Sequence, residues 1–482
     1  MHIALIFRIL GMLLMVFSLT MLNPILVSLW FEDGAYPAFL LSFAITFISG
    51  AVMWMPVAKQ HADLRTRDGF LITSLFWAVL GLFGALPFIL APEYNLSISD
   101  AIFESLSGLT TTGATVITGL DYLPKSILFY RQQLQWLGGI GIIVIAVAIL
   151  PMLGIGGMQL YRAETPGPVK DSKLTPRITE TAKALFLIYV LLTASCALAY
   201  WLAGMTFFDA VCHAYSTVAI GGFSTHDASI GYFNSPTIML IASIYMIIAG
   251  INFALHFQAI RQFNFKHYRT DSETRFFVYT IAGAFVIVAC YLVLSHSYNI
   301  SEAFIHGLFQ TISIATTTGF ATADFSSWPS FLPFMLLMLS FMGGCGGSTG
   351  GGMKAVRIML MAKQGVRELS QLIHPNAIIP LKVGNRRVEA KVVSAVWSFF
   401  AVYMFAFIIL LFLLMATGLD FVTSFSAVTA SINNLGPGLG DVASHYGNIN
   451  DPAKWILCFS MLLGRLEVFT LLVLFTPAFW RQ

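Results

Sequence analysis

Four short glycine-bearing segments interrupt an otherwise apolar chain. They are Thr110-Thr111-Thr112-Gly113, Ala219-Ile220-Gly221-Gly222, Thr316-Thr317-Thr318-Gly319 and Asn433-Asn434-Leu435-Gly436. Their chemistry is that of oxygen ligands. Glycine permits backbone angles that turn carbonyls inward, and threonine adds hydroxyls and suits an extended chain. Carbonyls so placed replace the water shell of a cation, as in a selectivity filter. A lone Thr-Thr-Thr-Gly carries little weight. Two copies of it, with two further aligned glycines in the same setting, point to a single cavity with pseudo-fourfold symmetry. Its candidate ion-contacting residues are Thr110, Thr111, Thr112, Gly113, Ile220, Gly221, Gly222, Thr317, Thr318, Gly319, Asn434, Leu435 and Gly436.

These segments must be positioned by elements that cross a bilayer. The 482 residues are 57% hydrophobic and only 10% charged, with net charge +3 and mean hydropathy +0.80. Soluble domains carry about 25% charged residues, so this is an integral membrane protein. Apolar runs near 3–30, 37–57, 69–91, 125–150, 181–204, 235–258, 275–296, 329–345, 388–417 and 453–478 imply ten spans. The first reads as a retained span rather than a cleaved signal. Each glycine segment follows a half-apolar stretch too short to span, and irregular backbone at that depth must be buried in protein or line a cavity. The expected fold is all-α: four helix–re-entrant helix–helix repeats around a pseudo-fourfold pore, after an N-terminal helix pair. The boundaries are 1–68 for the pair, then 69–178, 179–271, 272–386 and 387–482 for the repeats.

Aligning the repeats on the last glycine of each segment places Asp100, Asp209, His306 and Thr423 thirteen residues upstream. Asp100 and Asp209 are read as N-caps of re-entrant helices, the first from about Asp100 to Leu109. The helix C-termini, with their partial negative charge, then converge on the cavity. Lys59, Arg65, Arg67, Arg162, Lys170, Lys173, Arg177, Arg261, Lys266, Arg269 and Arg275 lie on one side, with the basic stretch Lys354–Lys391. The segments between carry acids, including Glu93, Asp100, Asp121, Asp209, Asp227, Glu302, Asp324, Asp420, Asp441 and Asp451. By the positive-inside rule the basic loops and both termini are cytoplasmic. The acids either raise the cation concentration at an outer mouth or merely follow topology. Five cysteines lack metal-ligand spacing and read as small buried hydrophobes.

With these motifs the chain resembles the Trk/Ktr/HKT superfamily of potassium transporters, in particular its TrkH-type subunits with an extra N-terminal helix pair. The resemblance covers nearly the whole chain. It implies potassium as the transported ion, no organic cofactor, and one filter glycine per repeat, at Gly113, Gly222, Gly319 and Gly436. Glycine in the first copy goes with potassium preference in that superfamily. Because the second and fourth copies depart from Thr-Thr-Thr-Gly, discrimination should be modest, with rubidium passing.

Two features read as a gate. Gly343–Gly352 holds too much glycine for a rigid helix, at about 1 kcal/mol each. It lacks the Gly-Lys-Ser/Thr ending and preceding strand of a phosphate loop. A mobile loop beneath the filter is expected, with Gly346, Gly347, Ser348, Thr349, Gly350 and Gly351 as gate residues; a small-residue helix contact is the alternative. Arg465, deep in the last apolar run, would repel cations below the filter unless a buried carboxylate pairs with it. Glu467 is poorly placed for that. Met353–Ile373 reads as an amphipathic helix and Ile378–Val388 as a hairpin around Gly384-Asn385. They form a surface for anionic lipid or for a cytosolic regulator. The resemblance implies a TrkA-type ring that binds nucleotides and NAD, a homodimer, and the bacterial inner membrane. No nucleic-acid partner is expected. The rivals are a potassium symporter coupled to protons or sodium, and an enzyme built on His213, His256 and His306.

Overall fold

The computed structural model describes residues 2–60, 65–91, 96–144, 178–384 and 386–481. Glu93, Asn385 and the basic residues Arg162, Lys170, Lys173 and Arg177 lie outside the described residues. Among the described residues the regular structure is helical, apart from one two-stranded hairpin that pairs Lys382 with Arg387 and Val383 with Arg386.

Six described helices are long and apolar enough to cross a membrane, at Ile3–Phe31, Tyr36–Val57, Arg67–Leu90, Lys183–Leu202, Ser272–Leu294 and Ala390–Ala416. They are the N-terminal pair and the leading helix of each repeat. The pair meets at glycines: a Cβ on Gly11 would lie 2.7 Å from the Gly50 carbonyl oxygen. Small residues at such a contact let two backbones approach where no hydrophobic effect drives them together.

The four re-entrant helices are Ile98–Leu109, Phe207–Ala219, Ile300–Ala315 and Phe421–Asn433. Their N-termini correct the expected caps. Asp100 and Asp209 stand three residues inside their helices, and the caps are Ser97 and Thr206, whose hydroxyl oxygens each accept the aspartate N–H at 3.1 Å. Each hydroxyl in turn donates to that aspartate's carboxylate, at 2.8 and 2.7 Å. Asn299 and Glu302 form a capping box on the third, and Asp420 caps the fourth. Carboxylates in the first turn face the positive end of the helix dipole.

The trailing helices differ from the straight spans expected. The first, Lys125–Val144, carries Arg131, Gln132, Gln133 and Gln135, all buried. The second breaks by 95° between Pro236–Gly250 and Phe253–Arg261, and the fourth by 110° between Asp451–Arg465 and Phe469–Phe475. The third stops after Leu332–Leu339. Gly250 and Gly464 lie just before the two breaks, and the glycine-rich segment follows the end of the third helix.

A buried ion pair within repeat 1 braces that repeat against repeat 2. Arg131 Nε lies 2.8 Å from Glu104 Oε1, both side chains being essentially inaccessible. Arg131 also donates to the Ser224 carbonyl at 3.0 Å, and Glu104 accepts the Val116 N–H at 2.9 Å. Breaking such a pair strands a charge. Glu104→Ala is expected to cost about 3–5 kcal/mol, measured as a fall in thermal midpoint of the detergent-solubilised protein. Glu104→Gln, which copies Gln310 at the same register of repeat 3, should cost less.

Candidate functional site

Each re-entrant helix ends in the same closure. The N–H one residue before the aligned glycine (Thr112, Gly221, Thr318, Leu435) donates 2.8 Å to a carbonyl five residues upstream (Ser107, Ser216, Ser313, Ala430). The preceding N–H donates to the carbonyl three residues upstream of it, at 2.9, 3.1, 3.0 and 3.2 Å. This is a Schellman closure, which requires a left-handed residue where glycine is usual. The residues there are Thr111, Ile220, Thr317 and Asn434, at φ 54°, 55°, 67° and 55°. A left-handed non-glycine residue costs about 1–2 kcal/mol, and for β-branched Thr and Ile it is an outlier. The expected extended run after each helix is therefore replaced by a strained reversal, repeated four times. Strain that recurs at equivalent positions is held in place by its surroundings.

Two residues on, the aligned glycines reverse the backbone again, with φ of 79°, 80°, 87° and 97° at Gly113, Gly222, Gly319 and Gly436. Here the four repeats meet. A Cβ on Gly113 would fall 2.1 Å from the Gly221 carbonyl oxygen, on Gly222 2.0 Å from that of Thr318, and on Gly319 2.1 Å from that of Leu435. The circuit closes at Gly436, where a Cβ would lie 2.9 Å from the Thr112 oxygen. Each glycine thus abuts the next repeat's carbonyl, in the order 1, 2, 3, 4, 1. The fourth contact is the loosest.

The threonine hydroxyls in repeats 1 and 3 serve the backbone. Thr110 pairs with Thr112 and Thr316 with Thr318, both at 2.7 Å. Thr110 and Thr316 also donate to the Leu106 and Ile312 carbonyls at 2.7 Å. Asn434 Nδ2 reaches Thr112 Oγ1 at 3.0 Å, linking repeat 4 to repeat 1. Thr111 Oγ1 is buried and has no hydrogen-bond partner among the described residues.

Beneath this ring lies the glycine-rich segment, non-helical and buried except at Gly347 and in part Gly352. The Gly351 N–H donates to Thr317 Oγ1 at 2.7 Å and the Gly352 N–H to the Asn433 carbonyl at 3.0 Å. Thr349 Oγ1 donates to the Val218 carbonyl at 2.9 Å, and the Cys345 N–H to Gly250 at 2.8 Å. The segment therefore touches repeats 2, 3 and 4. A Cβ on Gly351 would lie 2.0 Å from the Asn433 oxygen, so the glycine is needed for space. Gly346 is held by Glu273 Oε1 at 2.6 Å, while Ser348 Oγ donates to Cys345 and Gly347 accepts from Phe253. Lys354 Nζ donates to the Gly350 carbonyl.

Arg465 supplies the contact with repeat 1. It is the last residue before the 110° break rather than mid-helix. Its guanidinium donates 2.8 Å to the Gly138 carbonyl and 3.3 Å to that of Thr349, over the Trp77 ring at 5.4 Å. Glu467 instead pairs with Arg357 at 2.6 Å, so Arg465 is held by carbonyls and has no carboxylate partner among the described residues. The network of Glu273, Lys354 and Arg357 was not singled out from sequence. Its signal was Glu273 at the start of an apolar helix. A second missed regularity lies twenty-eight residues after each aligned glycine, where the chain has Gly141, Gly250, Gly347 and Gly464. Two of these sit at the helix breaks and one in the glycine-rich segment. The polar run Arg131–Gln135 was also overlooked, although polar residues inside a span mark a site.

On the opposite side the acids have structural duties. Asp227 accepts the N–H groups of Gly119 and Leu120 at 3.1 and 3.0 Å, and Asp100 pairs with Lys454 at 2.6 Å. His226 bonds Asp121, lies 3.6 Å from Asp209 and stacks on Tyr232 at 3.5 Å. His213 bonds Ser224, His256 bonds Tyr268 and His306 bonds Thr322. The three histidines sit apart, and no metal-holding group of His, Cys, Asp and Glu occurs among the described residues. Of the cysteines, Cys290 alone is exposed, against the buried position expected for all.

Comparison with known proteins gives one consistent result. The TrkH family model, described as a cation transport protein, matches residues 35–482. The Trk system potassium uptake protein TrkH of Halomonas elongata is 58% identical over 482 residues, covering 100% of both chains. That of Escherichia coli K12 is 55% identical over 492 residues, again covering 100% of each. The crystal structure of the potassium transporter TrkH from Vibrio parahaemolyticus superposes with a TM-score of 0.92 at 54% identity, covering 100% of each chain.

The histidine latch generates a pH prediction. Burial opposes the charged form of His226, but Asp209 and Asp121 outweigh it and raise its pKa above the ordinary value. Its stabilisation is complete below the ordinary histidine pKa of about 6.5 and is lost as pH rises through the raised folded value. The thermal midpoint of the native protein should therefore exceed that of His226→Gln most at about pH 5 and least at about pH 8.5. A difference that stays constant with pH would exclude the latch.

Proposed function

The chain belongs to the TrkH family of cation transport proteins, and we propose on that premise that it takes up potassium across the bacterial inner membrane through a gated filter. The observation that carries this reading is the closed circuit of Gly113, Gly222, Gly319 and Gly436, each against the next repeat's carbonyl. A ring of backbone oxygens at the ends of four inward-running helices suits a desolvated cation. The helix C-termini add partial negative charge without a fixed anion that would trap the ion. Ion-contacting residues are those of the four segments, from Thr110–Gly113 to Asn434–Gly436. The inequality of the copies, tightest at Gly222 and loosest at Gly436, supports modest discrimination.

Control is assigned to Gly346–Gly351 and Arg465. The segment hydrogen-bonds to filter residues of repeats 3 and 4, and Arg465 ties it to repeat 1. A buried guanidinium below the ring repels cations. The regulator is a cytosolic TrkA-type nucleotide-binding ring. It would dock on the helix Ala355–Ile373, where Val366, Leu369, Leu372 and Ile373 are exposed beside Lys363 and Arg367. The hairpin at Lys382–Arg387 adjoins it. The basic side and both termini are cytoplasmic, and the repeats divide near 68, 178, 271 and 386. The functional unit is a homodimer.

Two measurements on purified protein in liposomes test this. Gly222→Ser should lower the potassium-to-sodium flux ratio about tenfold, about 1.4 kcal/mol of discrimination, because its side chain meets the Thr318 carbonyl. Arg465→Ala should raise basal potassium flux severalfold when only a potassium gradient is imposed. No flux without a proton or sodium gradient would favour coupled symport, and unchanged basal flux would remove Arg465 from the barrier.

A further inference from the structure

The four filter segments need the same closure but hold it by different means. In repeats 1 and 3, threonines on either side of the left-handed residue bond to each other, Thr110 to Thr112 and Thr316 to Thr318. Repeat 2 has Ala219 and Gly221 at those positions and cannot make this bond. Its left-handed residue is also the least suited, β-branched Ile220 at φ 55°. Repeat 2 therefore carries the strain without the internal clasp.

A side chain from repeat 1 occupies the vacancy. Gln135, fully buried on the trailing helix of repeat 1, donates from Nε2 to the Gly221 carbonyl at 2.6 Å. Its Oε1 accepts the Phe223 N–H at 3.0 Å. One planar amide thus grips the backbone on both sides of Gly222. Only a group that donates and accepts at once can do this, which among side chains of this length means Gln. One turn earlier on the same helix, Arg131 holds a carbonyl three residues further on, that of Ser224, and lies 4.3 Å from the Phe223 ring centre. Gly221 is not at positive φ, unlike Gly222. A side chain there is barred by Gln135 itself, whose Cδ would lie 2.4 Å from an added Cβ. Glycine at 221 and glutamine at 135 are two halves of one fit.

We infer that Gln135 is a positioning residue for ion selection: it supplies from repeat 1 the clasp that repeats 1 and 3 build within their own segments. The inference rests on reading the four segments as the filter. It makes two demands. Loss of the amide should loosen repeat 2 without touching the ion directly. The clasp should also be replaceable, since Ala219→Thr with Gly221→Thr recreates the threonine pair of repeats 1 and 3 once Gln135→Ala clears the space.

The test is the potassium-to-sodium flux ratio of reconstituted protein, with thermal midpoint as the check on folding. Gln135→Leu, which keeps volume and removes both hydrogen bonds, should lower the ratio about threefold to tenfold, with potassium flux retained. The triple variant Gln135→Ala, Ala219→Thr, Gly221→Thr should recover most of the native ratio, whereas Gln135→Ala alone should not. A native ratio in folded Gln135→Leu overturns the inference. So does a triple variant that is folded yet no more selective than Gln135→Ala, and this comparison stands even where Gln135→Leu fails to fold. Gly222→Ser is the parallel arm. If it too leaves the ratio unchanged, the filter reading itself fails; if it alone shifts the ratio, only the clasp is wrong.

Discussion

The structure depends on one steric fact: no side chain fits where the four repeats meet. At three of the aligned glycines an added Cβ would lie only 2.0–2.1 Å from a neighbouring carbonyl oxygen. Such contact is far inside van der Waals separation, so the ring tolerates glycine alone. Closing the ring also forces Thr111, Ile220, Thr317 and Asn434 into the left-handed region. That strain has to be balanced by the packing around it. The remaining architecture can be understood as the means of holding four strained turns at fixed separations.

Much of that holding is polar, and it is placed between repeats rather than within them. Arg131, paired with Glu104, binds repeat 1 to the loop after the glycine segment of repeat 2. Lys454 and Asp100 bind repeat 4 to repeat 1. Gly231 donates to Ala321, binding repeats 2 and 3. Buried polar groups are costly unless paired, so such contacts have few alternative partners and select one relative placement of the repeats. The glycine-rich segment follows the same logic beneath the ring. It packs by backbone hydrogen bonds rather than side-chain volume, so little apolar surface resists its displacement.

How much was legible in the chain differs by element. The leading helices could be read because a bilayer demands long apolar runs, and Ser272–Leu294 and Ala390–Ala416 are such runs. The trailing helices could not be read in this way. Arg131, Gln132, Gln133 and Gln135 lower the hydropathy of the first, and breaks at Gly250 and Arg465 turn two others aside. The caps were misplaced by one turn because Ser97 and Asp100 both favour a helix start, and sequence does not show which oxygen accepts the free N–H. The threonines read from sequence as free oxygen ligands, whereas Thr110, Thr112, Thr316 and Thr318 spend hydroxyl contacts on each other.

The sequence by itself determined the membrane setting, the count of four repeats, and the glycine at the centre of each. These are local or periodic properties: apolar length set by bilayer thickness, and a residue type set by the space left for its side chain. The tertiary structure alone decided what each glycine touches, which repeat braces which, and what holds Arg465. Those contacts join residues far apart in the chain, Gly436 to Thr112 and Arg465 to Gly138 among them. They arise only when four similar but unequal segments are brought around one axis, where a vacancy in one repeat is filled by a side chain from its neighbour.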